Sequence, residues 1–179
     1  MHERRYNGGT DRLRTPERLA ILEVERVVNS VLEEDIKSVL DIGTGNGLFA
    51  EAFASHGKEV TGIDVSEEMI KAARKNLPNG KFEIALAEEI PFPDKIFDLA
   101  FMGLVLHETD DLLKALKEAK RVTKNRVAIL EWPYKVGEYG PPLEHRIKPE
   151  NLDSAIKEAG YTSYQKNELK NLILYDLKP

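Results

Sequence analysis

From residue 38 to the end, short apolar runs alternate with segments of helical periodicity, and this alternation restricts the fold more than any other feature. "SVLDIG", "EVTGIDV", "KFEIALA", "FDLAFMGLVLH" and "RVAILEW" read as strands. The fourth is nearly all apolar, as a strand buried on both faces must be. Helices fit between them. One runs from Gly47 to Ser55 and a second is capped by Ser66. A third opens at Asp110 and Asp111, and a fourth starts at Pro149-Glu150 and stops at Gly160. Two last strands, near 161–168 and 172–177, are separated by little more than Lys170-Asn171, the spacing of an antiparallel pair. An earlier helix begins at Thr15-Pro16-Glu17 and is expected to reach about Glu34. Such alternation folds as an α/β sheet, mostly parallel, with helices on both faces. Seven strands are expected, the last one antiparallel.

A chain of 179 residues has room for one full core and little more. The reading is a polar arm over 1–14 and a single domain over 15–179. No apolar run approaches the roughly 18 residues that span a membrane. The first residues lack the apolar centre of a signal peptide, so a cytoplasmic location is the default expectation. There is no cysteine, which excludes disulfides, thiolate metal sites and cysteine nucleophiles. The net charge of -5 disfavours nucleic acid as a partner. Arg4, Arg5, Arg12, Arg14 and Arg18 form the one basic stretch, but Glu3, Asp11 and Glu17 interrupt it, so it reads as a solvated arm.

"VLDIGTGNGLFA" is the stretch where strand gives way to a glycine-rich loop and then a helix. Loops of this kind bring main chain close to a ligand. The dinucleotide fingerprint is G-x-G-x-x-G/A. Here Gly43-Thr44-Gly45-Asn46-Gly47-Leu48 places leucine at the third position, where that fingerprint needs a small residue. Asp41, at the mouth of the strand, is a poor neighbour for a pyrophosphate. It suits a sulfonium ligand that also carries an ammonium group. Asp64, about twenty residues on, can accept hydrogen bonds from both hydroxyls of a ribose. That contact serves a dinucleotide and S-adenosylmethionine equally.

"VLDIGTGNGLFA", "VTGIDVSEEMIKAARKN", "AEEIPFPDKIFDLA" and "LVLHETDDLLKALKEAKRVTKN" resemble, in order and spacing, the successive motifs of class I S-adenosylmethionine-dependent methyltransferases. The resemblance is to the broad group that includes the ubiquinone/menaquinone-biosynthesis enzymes, and it covers roughly residues 39 to 132. It implies a Rossmann-like fold and S-adenosylmethionine as cofactor. Gly43, Thr44, Gly45 and Gly47 would wrap the methionine half, with Asp41 near its amine. Asp64 would hold the ribose, with Val65 and Met69 beside the adenine. Ala87 and Glu88 would approach the adenine edge, while Gly103 and Leu104 would close over the sulfonium. Relatives often carry an aspartate before the Ala-Glu pair; Leu86 stands there in this chain.

Methyl transfer chiefly needs positioning and exclusion of water. A general base is needed only where the acceptor loses a proton. His107, just past the fourth strand, is the candidate base. Glu108, Trp132 and Tyr134 are candidate acceptor contacts, with Tyr6 on the arm. The connection over 133–148 is long enough for a lid, and it carries His145. His2, His107, Glu108 and His145 show no metal-ligand spacing, so no metal is expected. The expected function is methyl transfer to an O, N or C atom of a small molecule. A protein or RNA methyltransferase, a non-catalytic S-adenosylmethionine-binding module and a nicotinamide oxidoreductase are the alternatives. Oligomeric state is not legible.

Overall fold

The computed structural model describes residues 5–6 and 8–179. His2, Glu3 and Arg4, which figured in the arm and metal readings, lie outside the described residues.

The strands are β1 (Ser38–Ile42), β2 (Glu59–Asp64), β3 (Lys81–Ile84), β4 (Phe97–Gly103), β5 (Thr123–Glu131), β6 (Ser163–Glu168) and β7 (Ile173–Lys178). They form one sheet in the order β3-β2-β1-β4-β5-β7-β6. The first five pair in parallel, and β7 lies antiparallel between β5 and β6. The helices are α1 (Pro16–Leu22), α2 (Val24–Val31), α3 (Leu48–Ser55), α4 (Glu67–Asn76), α5 (Leu112–Val122) and α6 (Pro149–Glu158). The expected seven-stranded α/β architecture is present.

One apolar cluster joins the sheet to α5 and α6, and the other joins its opposite face to α2, α3 and α4. β4 and the inner part of β5 are buried on both faces, which explains their unbroken apolar sequence. Caps fix where helices begin. The Ser66 hydroxyl accepts from the Met69 N–H, and the Asp111 carboxylate accepts from the Lys114 N–H. Asp98 locks the base of the sheet. Burial pushes its pKa up, but the N–H groups of Ser38 and Lys37 and the Lys124 ammonium prevail and hold it at about 2.

Three expected elements differ in extent. The helix expected over 15–34 breaks at Glu23, which is left-handed with φ 46° and ψ 45°. The Glu23 carboxylate holds Arg26 and accepts from the Lys170 N–H, so the β6–β7 hairpin fixes the break. The third strand stops at Ile84. The fourth stops at Gly103 rather than running to His107, because Leu104 turns left-handed with φ 58° while its N–H reaches the Leu130 carbonyl.

Strand order reverses between β1 and β4. Open α/β sheets bind ligands beyond the carboxyl ends of the strands at such a switch point. The glycine loop leaves β1 there, and the Leu104 turn leaves β4 beside it.

Candidate active site

A cavity opens at this switch point, with about 810 Å³ of space between atoms, solvent at its mouth included. Its floor is Asp41, the glycine loop and the end of β4. A smaller cavity continues from it past Gly43, Asp64 and Val65 toward Leu86, Ala87 and Glu88.

The glycine loop is shaped by what surrounds it. Gly43 has φ +70°, and a Cβ there would meet the Val105 side chain at 2.3 Å. Gly47 has φ +82°, and its Cβ would stand 3.2 Å from the Ala73 backbone on α4. The close helix approach therefore falls on Gly47, one residue before the third fingerprint position. That leaves Leu48 free to line the cavity.

Asp64 organises the loop. Its Oδ2 accepts from the Gly45 N–H at 2.9 Å, and its Oδ1 accepts from the Ser66 N–H at 2.9 Å. Burial raises its pKa, opposed by these bonds. Asp41 is deeper, only 2% exposed. The Thr44 hydroxyl donates to its Oδ2 at 2.7 Å. Burial pushes the Asp41 pKa up to about 7, and the Asp64 charge adds to the rise. Among the described residues no cation pairs with Asp41. Burying a carboxylate without a paired cation is costly in its charged form.

Val65, Met69, Gly103 and Leu104 all contribute to the cavity wall, with Thr44 and Gly45. Ala87 and Glu88 face the smaller cavity. Glu88 has a structural duty as well: its Oε1 accepts from the Asp110 and Asp111 N–H groups and so fixes the turn into α5. Residues 5–6 and 8–14 lie across the mouth. The Tyr6 N–H donates to Glu108, Arg5 pairs with Asp110 at 3.2 Å, and the Asn46 side chain donates to the Thr10 carbonyl.

Glu108 lines both cavities, and burial raises its pKa. His107 does not line either. Its ring is buried behind Glu108, with Nδ1 held by the Glu131 carboxylate and Nε2 3.8 Å from Glu108. This corrects the expectation that the ring faces the acceptor. The turn begun at Leu104 directs Glu108 outward and His107 inward.

A second groove adjoins the cavity, and Tyr6, Arg18 and Leu22 line both. Its far wall is Trp132, Tyr139 and Gly140. Tyr134 and His145 line neither the cavity nor the groove. The 133–148 connection closes on itself instead. The Arg146 guanidinium donates to the carbonyls of Pro133, Lys135, Tyr139 and Pro141, and it stacks over Trp132. Sequence reasoning missed Arg18 and Leu22 as cavity residues. Their four-residue spacing on one helix face was the available clue.

This donor set fits S-adenosylmethionine. A carboxylate lacking a cation stands at one end, a second carboxylate, Asp64, at the middle, and a slot of mixed polarity past Val65 and Ala87 at the other end. A methyltransferase-domain family model matches residues 40–130, just over half of the chain. The chain belongs to this family. It is 35% identical over 111 residues to a demethylmenaquinone methyltransferase of Thermotoga maritima, covering 60% of this chain and 48% of that one. It is 37% identical over 99 residues to a ubiquinone/menaquinone biosynthesis C-methyltransferase of Rickettsia bellii, covering 49% and 40%. The chain thus spans less than half the length of these curated relatives. A SAM-dependent methyltransferase of Aquifex aeolicus superposes with a TM-score of 0.81 at 28% identity, over 94% of this chain and 95% of that one. The fold is that of class I S-adenosylmethionine-dependent methyltransferases.

Proposed function

We propose that this chain transfers a methyl group from S-adenosylmethionine to an O, N or C atom of a small molecule with a planar ring. The observation that carries the reading is the continuity of the cofactor-shaped cavity with an aromatic groove through Tyr6, Arg18 and Leu22. Two curated relatives are named for quinone biosynthesis, and a ring acceptor of that kind fits between Tyr6 and Trp132.

When bound, the cofactor supplies a methyl group already activated by its sulfonium. The protein's task is then positioning and exclusion of water. Asp41 holds the ammonium end, Asp64 the ribose, and Val65 and Met69 the adenine face. Ala87 and Glu88 bound the adenine edge. Gly103 and Leu104 close the wall at the sulfonium. Residues 5–6 and 8–14 cover the mouth. Where the acceptor must lose a proton, Glu108 is placed to take it, because its carboxylate faces the cavity and its raised pKa makes it the better base. His107 and Glu131 support Glu108 from behind. Across the described residues no helix is long and apolar enough to cross a membrane.

Incubation with methyl-labelled S-adenosylmethionine and a panel of phenols, quinols and amines tests the reading. Labelled product that disappears in Asp64→Ala and falls with Trp132→Ala supports it. Binding of S-adenosylhomocysteine without transfer to any acceptor class would favour the non-catalytic binding module. Salt-sensitive labelling of RNA or protein would favour a macromolecular acceptor.

A further inference from the structure

S-Adenosylmethionine ends in an amino acid, so its site must satisfy a carboxylate as well as an ammonium. The residues discussed so far supply carboxylates for the ammonium and the ribose, and none supplies a cation. The described cations on the cavity wall are Arg5 and Arg18. Arg5 is taken by Asp110 at 3.2 Å. Arg18 is different. Among the described residues no hydrogen bond or ion pair engages its guanidinium, and its Nε is buried without a partner. Its one close contact is the Tyr6 ring, 5.9 Å from Cζ to the ring centre. Burial lowers its pKa, opposed by Tyr6 and Glu108, so it sits in a desolvated place that a charge enters at a cost.

A half-buried guanidinium whose Nε is buried with its donor unused is costly unless something else completes it. Arginine presents a planar fork that matches a carboxylate. The local fold holds that fork still. Thr15 caps the first turn of α1 through the Arg18 N–H, Pro16 fixes its start, and Leu22 packs one turn further along the same wall. Arg14 ties the adjoining segment to Glu51 and to the Asn46 carbonyl. The turn over Thr10–Arg14 is therefore tied to the glycine loop, and α1, which follows it directly, places Arg18 on the cavity wall.

We propose that Arg18 is the receptor for the α-carboxylate of the cofactor. This rests on the reading of the cavity as an S-adenosylmethionine site. It makes Arg18 the complement of Asp41, one binding the carboxylate and the other the ammonium of the same amino-acid end. It also gives α1 a functional duty, since the helix places Arg18 on the cavity wall.

The test uses two ligands on the whole chain. S-Adenosylhomocysteine carries the amino-acid end, and methylthioadenosine lacks it. Both are titrated calorimetrically into the wild type, Arg18→Met and Arg18→Lys. The expected result is a loss of about ten- to hundredfold in S-adenosylhomocysteine affinity for Arg18→Met. Methylthioadenosine affinity should stay within about twofold, since the adenosine half contacts other residues. Arg18→Lys should recover part of the loss, because a point charge replaces the fork. Unchanged S-adenosylhomocysteine affinity in Arg18→Met would overturn the assignment and leave Arg18 to the acceptor groove. An equal loss for both ligands would also overturn it, since the effect would then fall on the cavity as a whole. A wild type that binds neither ligand would instead remove the cofactor reading itself.

Discussion

Nδ1 of His107 lies 3.0 Å and 2.9 Å from the two carboxylate oxygens of Glu131, and both side chains are buried. Burial alone would lower the His107 pKa, but Glu131 overcomes it by charge and hydrogen bond, and the pKa is raised. A histidine raised in the folded state stabilises fully below its ordinary value of 6.5, and the stabilisation is lost as pH rises through the folded midpoint. Glu131→Gln should lower the His107 midpoint measured by NMR and remove that pH-dependent increment. Glu131→Ala should cost about 3–5 kcal/mol, because it leaves a buried ion unpaired. An unmoved His107 midpoint in Glu131→Gln would show that the pair is not coupled.

Asp41 makes cofactor binding pH-dependent. Its pKa of about 7 means that the neutral form predominates in the free protein below about pH 7 and the ionised form above it. Its contribution to folding is complete below the ordinary 3.8 and is lost as pH rises through about 7. A ligand ammonium favours the ionised form, so binding releases a proton. S-Adenosylhomocysteine should bind more weakly at about pH 5.5 than at about pH 8. Asp41→Asn should flatten that profile. Calorimetry in buffers of different ionisation heat reads the released proton directly, and no buffer dependence near neutral pH would contradict the assignment.

Asp64 holds the Gly45 and Ser66 N–H groups and lines the cavity where the proposed ribose would lie. Asp64→Ala should weaken S-adenosylhomocysteine and methylthioadenosine alike, by about 1.5–3 kcal/mol or more. This separates it from Arg18, whose effect is confined to the ligand with a carboxylate. Equal affinity in Asp64→Ala and wild type would take Asp64 out of the ribose site.

Arg146 holds the groove wall. It satisfies four carbonyls of the 133–148 connection and stacks on Trp132, the only tryptophan of the chain. Arg146→Met strands those carbonyls, so the connection should open to protease while the sheet remains folded. Tryptophan fluorescence should shift to the red, with S-adenosylhomocysteine affinity preserved. Unchanged proteolysis and emission would mean that other contacts suffice to hold the connection.

The strands were legible because burial on both faces forces an unbroken apolar run, as in β4 and β5. The glycine loop, Asp41 and Asp64 were legible as one cluster, because the switch point brings the ends of β1 and β2 to the same cavity. The rest depends on distant partners. Glu23 breaks the first helix through a bond to Lys170, and Leu104 turns left-handed against Leu130. His107 is withdrawn from the cavity by Glu131, 24 residues away in sequence. Arg18 looked like part of a solvated basic arm, because nothing local shows that the segment over Thr10–Arg14 is tied to the glycine loop.

The central claim is that the cavity at the switch point is built for S-adenosylmethionine. Calorimetric titration of the whole chain with S-adenosylhomocysteine, with NAD as the control, tests it most directly. The account predicts micromolar or tighter binding of the first at one site per chain and none of the second. Binding of NAD, or no binding of S-adenosylhomocysteine at neutral pH, would contradict it.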